Sequence, residues 1–203
     1  YSFCMCPGGI IAPCATAPGE IVTNGWSPSK RNNPFANSGI VVPVEPEDYR
    51  QFASAGPLAG LRYQQYVEQT VCKMAGGTQT APAQRLSDFL EGKLSADLPV
   101  NSYKPGTASM QLSQVLPKAI HQRLRGGFQE FGKKMRGYLT NEAVAVAVES
   151  RTSSPVRIPR NENGEHPQIK GLFPIGEGGG YAGGIVSAAI DGESVVDKFA
   201  VNN

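Results

Sequence analysis

The chain has 203 residues, of which 40% are hydrophobic and 18% charged, and its formal net charge is +2. This composition is typical of a globular protein with one large or two small domains. The small net charge gives no reason to expect nucleic acid or a membrane surface as a partner. No apolar run approaches the roughly 18 residues that span a bilayer, and no signal peptide is apparent. The composition therefore predicts a cytoplasmic protein.

The cysteines and histidines do not form a recognisable metal-binding pattern. Three of the four cysteines, Cys4, Cys6 and Cys14, lie in one short stretch, and Cys72 is distant. A chain of this size has no need of disulfides, so we expect reduced thiols. His121 and His166 lie far from the cysteines in sequence, which gives no zinc spacing and predicts no metal site. We expect both histidines on the surface.

The first 44 residues predict short strands joined by turns, because Gly, Pro and Asn separate β-branched runs at 20–23 and 39–44. Residues 57–74 place apolar side chains at helical spacing and predict an amphipathic helix that faces the core. A second helix is predicted over 82–92, with Pro near its first turn and Gly at its end. Residues 94–107 are typical of a loop.

The second half of the chain returns from helix to strand. Apolar residues from Leu112 to Leu139 recur at three- and four-residue steps, and Pro117 and Gly126-Gly127 are expected to divide them into short helices. Five basic residues in this region predict a solvated helix face: Arg123, Arg125, Lys133, Lys134 and Arg136. Residues 142–149 alternate with period two and predict a strand. Further strands are expected at 156–158 and 168–172, and a helix at 185–199.

The order of these elements predicts a mixed fold, α+β or α/β. Its β-rich parts at 1–45 and 141–203 form one domain, and a mainly helical domain at 46–140 is inserted between them.

The densest signal is a glycine loop at 171–184, which contains seven glycines between an apolar run and a helix start. Glycine is needed where the backbone adopts positive φ or comes close to a ligand, and a helix N-terminus favours anions. The loop therefore predicts an anion-facing helix start. Two other interpretations stay open: a glycine-rich loop without a ligand, and glycines that only allow close packing.

The segment Gly171-Leu-Phe-Pro-Ile-Gly-Glu177, followed by glycines and an alanine-rich helix, resembles the closing segment of flavoproteins with the two-dinucleotide-binding architecture. Three further stretches sharpen the resemblance, and they begin at Tyr1 (YSFCMCPGG), Thr23 (TNGWS, with Asn37-Ser38) and Glu149 (ESRTSSPVR). In this order they are similar to the uncharacterised FAD-dependent (NAD(FAD)-utilising) dehydrogenases.

The resemblance implies an FAD site. Glu177 would bind the ribityl chain or the adjoining phosphate region, although many members have Asp there, and amides at the helix start would face the flavin ring. The cofactor-binding glycines and the residue that follows them are Gly176, Gly179, Gly180, Gly183, Gly184 and Ile185. Cys6 would lie near the flavin as a catalytic residue, although lone cysteines are more often small buried residues. The helical middle would be a substrate-side cap for an unknown small molecule, and NAD(P)H a possible electron donor.

Polar residues directly after the strand predicted at 142–149 are further candidates, since strand ends meet ligands in α/β sheets. The hydroxyls of Thr152 and Ser153 could reach the flavin, and Arg151 could hold a carboxylate substrate or pair with Glu149. A plain turn, begun by Ser and ended by Pro, fits these residues equally well.

One departure from the resembled family is decisive: the Gly-x-Gly-x-x-Gly turn of its primary FAD site does not occur here. We therefore expect the chain to be the C-terminal part of a longer oxidoreductase, whose missing N-terminal FAD-binding segment is its partner. Alone it should bind FAD weakly or not at all and be inactive. The alternative is a non-catalytic module that binds an anion or a nucleotide.

Overall fold

The computed structural model describes residues 1–202, which form two compact units. The sheet unit comprises Tyr1–Asp48 and Gln65–Ser150. The glycine-loop unit comprises Tyr49–Gln64 and the chain from Arg151 onward. The predicted inserted domain at 46–140 stays a prediction.

Four short strands open the sheet unit, as the N-terminal composition predicts. They are β1 (Ser2–Cys6), β2 (Ile10–Pro13), β3 (Thr23–Trp26) and β4 (Asn37–Ile40). β1 pairs with β4 and β2 with β3, both antiparallel. The β-branched run at 20–23 enters a strand only at Thr23, and Ile21 and Val22, just before β3, are buried. The run at 39–44 likewise leaves its strand at Ile40.

A three-stranded sheet lies later in the chain. Its strands are β5 (Ala81–Arg85), β6 (Thr107–Ser109) and β7 (Val144–Val146), with β5 in the centre, parallel to β6 and antiparallel to β7. The helix predicted over 82–92 is therefore wrong in its first half. The small, fully buried side chains of Ala81 and Ala83 fit a central strand between two neighbours. Only α2 (Leu86–Glu91) is helical, and it ends as expected at Gly92, which has a left-handed φ of 73°.

The remaining helical elements are a 3-10 segment (Pro46–Leu58), α1 (Ala59–Met74), α3 (Leu112–Val115) and α4 (Lys118–Lys134). The amphipathic helix is confirmed as α1, and the break at Pro117 is confirmed between α3 and α4. The break predicted at Gly126-Gly127 is wrong, because α4 continues through both glycines. The next residue, Phe128, packs edge-on against Phe89 with ring centroids 5.5 Å apart. That burial outweighs a helix penalty of about 1 kcal/mol per glycine.

The core of the sheet unit joins residues from strands and helices. Ile21, Val71, Phe89 and Leu112 are all at most 2% exposed, although they come from widely separated parts of the sequence. The core therefore brings together segments that are distant in the sequence.

The glycine-loop unit ends in α5 (Ile185–Asn202), which confirms the predicted C-terminal helix. The strands predicted at 156–158 and 168–172 are wrong, because neither stretch is assigned to a strand. Their backbone amides form isolated bonds instead, such as Ile158 N–H to the Gly179 carbonyl at 3.1 Å. Without a neighbouring strand, an apolar run has no ladder to join.

The mixed α and β composition of the fold is thus confirmed. Within residues 1–202, no helix combines the length and the apolar character that crossing a membrane requires.

Candidate cofactor site

Three of the candidate cofactor-binding glycines are required by the fold itself. Gly176 and Gly180 have left-handed φ angles of 65° and 82°. A Cβ added at Gly180 would lie 2.5 Å from the carbonyl oxygen of Val156, and one at Gly179 would lie 2.9 Å from the amide nitrogen of Ile175. Close packing and turn geometry therefore account for these positions without a ligand. Their predicted contact with a cofactor stays a prediction.

An ion pair fixes the loop to α5. The Arg160 guanidinium donates to both carboxylate oxygens of Asp191, at 2.9 and 2.6 Å, and to the carbonyl of Pro174 at 2.9 Å. The same carboxylate accepts the Gly176 N–H at 2.8 Å. The hydrogen bonds from Arg160, and then from Gly176, lower the pKa of Asp191 to about 2. The charged pair thus holds the beginning of the loop in one conformation.

Tyr181 fixes the other end of the loop. The central guanidinium carbon of Arg160 lies 3.5 Å from the centre of its ring, and that of Arg157 lies 4.3 Å away. The Tyr181 hydroxyl donates to the carbonyl of Ile158 at 2.9 Å. Sequence reasoning missed Arg160, Asp191 and Tyr181, because residues 31 positions apart show no local pattern that pairs them.

The start of α5 is capped by its own side chain. Ser187 Oγ accepts the Gly184 N–H at 3.1 Å and donates to the Gly184 carbonyl at 3.0 Å. The amides of Ile185, Val186 and Ser187 follow in the first turn, where an α-helix offers no intrahelical acceptor. The side chains of Ile185 and Val186 are 92% and 71% exposed. The first turn of α5 is therefore exposed and apolar.

The fold does not require a glycine at position 183. Its φ lies outside the left-handed region, and a Cβ added there would meet nothing within 4 Å. Gly178 has the same properties, and at Gly184 the added atom would meet only Ser187 Oγ, at 3.7 Å. Glu177 is exposed, and its side chain forms no hydrogen bond or ion pair with any residue in 1–202. This edge of the loop has room for another molecule.

The candidates Arg151, Thr152 and Ser153 belong to the same unit, and they lead into a turn. Ser154 Oγ donates to the carbonyl of Val156 at 2.8 Å and accepts its N–H at 3.4 Å. These bonds are local and need no ligand, and both the turn interpretation and a ligand contact of the three residues stay predictions.

Cys6 belongs to the sheet unit, where it is 8% exposed and its thiol donates to the Cys4 carbonyl at 3.0 Å. All four cysteines are free. His121 is half-buried, and its ring centroid lies 4.7 Å from that of Phe89. His166 Nδ1 accepts the amides of Gln168 and Ile169. The described chain holds no group of three or more His, Cys, Asp and Glu side chains placed for a metal ion.

Comparison with known proteins supplies the family. An uncharacterised protein of Clostridium beijerinckii (strain ATCC 51743 / NCIMB 8052) is 40% identical over 205 residues, covering 98% of this chain. The chain spans 38% of the length of that relative. The sequence model of the family described as "FAD-dependent protein, C-terminal domain-like" matches residues 1–152, which include Cys6 but not the glycine loop. The chain therefore belongs to the FAD-dependent protein C-terminal domain-like family.

Proposed function

We propose that the chain is the C-terminal part of an FAD-dependent oxidoreductase, a dehydrogenase, and that its glycine loop and α5 form one wall of the flavin site. Family membership supports the cofactor. The greater length of the relative leaves room for the FAD-binding segment that this sequence lacks. Bound FAD would supply the hydride transfer. The chain's own residues would bind the cofactor, orient it and exclude water.

The proposed position of the flavin rests on the backbone at Gly183, which no other described residue covers on its Cβ side. Neither φ nor packing demands glycine there. Close approach of a flat ring to the backbone does demand it, since any side chain would hold the ring away. The residues at this edge therefore fit the cofactor.

The neighbouring side chains suit the same role. Ile185 and Val186 present apolar surface to a ring system, and the unpaired carboxylate of Glu177 can accept hydrogen bonds from ribityl hydroxyls. Ile190, one turn further along α5, is 60% exposed and extends this apolar surface. We propose that the missing N-terminal segment covers it in the full-length protein.

Arg151 is the candidate residue for the substrate. Arg151 offers a guanidinium, which matches a carboxylate in a two-pronged geometry. Thr152 and Ser153 offer hydroxyls beside it. We propose that Arg151 serves a small anionic substrate and that the hydroxyls of Thr152 and Ser153 reach the flavin, with NAD(P)H as the electron donor.

The test is a visible spectrum of the full-length protein beside that of this chain. Oxidised-flavin bands in the long protein and none in the short chain are expected, because the pyrophosphate-binding turn lies outside residues 1–203. In the long protein, Gly183→Ala should weaken FAD binding about tenfold or more, since a methyl group separates the ring from the helix start. Glu177→Ala should weaken it less.

Gly192→Ala is the matched control. It makes the same chemical change within α5, where an added Cβ also meets nothing within 4 Å, and FAD binding should be unchanged. A long protein that is colourless and takes up no FAD would refute the flavin proposal. Binding of other nucleotides or anions would then favour the non-catalytic module.

A further inference from the structure

A cluster of polar side chains, Cys4, Asn37 and Glu149, lies in the sheet unit around the irregular strand β1. The β1–β4 pairing shifts register between Phe3 and Cys6, and Cys4 has a left-handed φ of 45°. Such a φ is uncommon outside glycine and is often found at functional sites. The bulge leaves Cys4 exposed and Met5 73% exposed.

Three glycines make room for the side chains of this cluster. A Cβ added at Gly39 would lie 2.8 Å from Glu149 Oε2 and 2.5 Å from the Phe3 ring. At Gly25 it would overlap the Asn37 amide, and at Gly9 it would lie 2.7 Å from Cys6 Cβ. Since each glycine lacks a side chain where another residue's side chain lies, the cluster is specifically accommodated by the fold.

Glu149 is held in place by its neighbours and not by its own side chain. The carbonyl of Val148 accepts the Thr23 N–H at 2.8 Å, and Ser150 Oγ donates to Glu68 Oε1 at 2.5 Å. The Glu149 carboxyl itself forms no hydrogen bond or ion pair with any residue in 1–202. The backbone is therefore fixed on both sides of a carboxyl that has no partner in the described part of the chain.

This carboxyl is only partly accessible to water. Burial raises the pKa of Glu149, and the pKa of the Cys4 thiol is raised by burial and then by the negative charge of Glu149. Both Asn37 amide atoms are also buried without a hydrogen-bond partner among the described residues. A half-buried charge without a counter-charge is costly, and proteins normally pair it.

We propose that Glu149 is a binding site for the protonated amine of a ligand. A cation supplies both the missing counter-charge and the missing hydrogen-bond donors, whereas a neutral hydroxyl supplies only the donor. The adjacent Phe3 ring and the sulfur atom of Cys4 provide polarizable surface for an alkylammonium group. This site does not depend on the flavin proposal.

The experiment uses butylammonium as the probe, with 1-butanol and butyrate as neutral and anionic analogues at matched ionic strength. The carboxyl resonance of Glu149 is followed by carbon-13 NMR across a pH titration of the chain, with Glu149→Gln to assign it. Butylammonium should lower the midpoint, because a cation favours the ionised carboxyl. A shift of one unit corresponds to about tenfold tighter binding to the ionised form.

Glu142→Gln is the matched control, because Glu142 is an exposed glutamate just before β7. Butylammonium binding should survive this change and be lost in Glu149→Gln. The latter variant removes an unpaired charge and should stay folded, which its circular dichroism spectrum checks. An equal effect of 1-butanol would overturn the preference for a cation. No midpoint change with butylammonium would overturn the site.

Discussion

The two units of this protein bury their apolar side chains to very different extents. In the sheet unit, Phe89, Val71 and Leu112 are almost completely enclosed. Among the described residues, the buried hydrophobic side chains of the glycine-loop unit are Ala59, Tyr63 and Val195, whereas Ile185, Val186 and Ile190 are largely exposed. The sheet unit therefore has a packed apolar core, whereas the described part of the glycine-loop unit encloses few apolar side chains.

This contrast indicates where function can reside. Stability alone accounts for most residues of a packed unit, so the half-buried carboxyl of Glu149, which has no partner in residues 1–202, is an exception that calls for a ligand. In the glycine-loop unit the exposed apolar side chains are the exception, since a helix normally turns its apolar stripe inward. In each unit, the residues that depart from the usual pairing or burial of that unit are therefore the candidates for a binding surface.

The largest effect is expected from Phe89→Ala. This residue is 1% exposed and contacts the rings of Phe128 and His121, so its truncation leaves a cavity. We expect a loss of about 3–5 kcal/mol in the free energy of unfolding, measured by urea denaturation. Ile185→Ala removes apolar atoms from the exposed start of α5 and should change that free energy by less than about 0.5 kcal/mol. Similar losses in both variants would contradict the contrast between the units.

An intermediate effect is expected from Asp191→Ala. The side chains of Arg160 and Asp191 are 17% and 14% exposed, so the change leaves a mostly buried guanidinium without its partner. We expect a loss of about 2–3 kcal/mol, in line with the breaking of a buried pair. The Gly176 amide should exchange its hydrogen faster, because it loses its acceptor. Unchanged exchange at Gly176 would show that the ion pair does not hold the loop.

The same pair predicts a dependence on pH. Folding lowers the pKa of Asp191 to about 2, so the unfolded chain binds a proton more readily. The pair should contribute fully above about pH 4 and be lost as the pH falls toward 2. Urea unfolding at several acid pH values measures this, and the Asp191→Ala variant should lack that part of the acid sensitivity.

The smallest effect is a gain in stability from Gly126→Ala or Gly127→Ala in α4. A Cβ at either position meets nothing within 4 Å, so alanine should stabilise the helix by about 0.5–1 kcal/mol. Gly132→Ala in the same helix is the contrast, because its Cβ would lie 2.6 Å from Leu139 Cγ. Thermal melting compares the three variants. A gain at Gly132 equal to that at Gly126 would show that packing does not decide these effects.

Local patterns predicted the helices and the loop best. The spacing of apolar residues in α1 and α5, the stop at Gly92 and the break at Pro117 were readable because each depends on a few neighbouring residues. The strand Ala81–Arg85 was not, since a run with Pro82 and small residues becomes a strand only between two partners. The strands predicted at 156–158 and 168–172 were wrong because these apolar runs have no neighbouring strand in the described chain with which to pair.

The sequence by itself determined that a glycine loop precedes a C-terminal helix, and its motifs indicated an FAD-dependent family. It also placed Glu177 and Gly183 among the candidate residues. Only the tertiary structure separated the glycines that the turn requires, such as Gly180, from those that stand open, such as Gly183. It alone paired Arg160 with Asp191 and left Glu149 without a partner among the described residues. Pairing and burial depend on which distant segments meet, and the local spacing of residues in the sequence does not reveal those contacts.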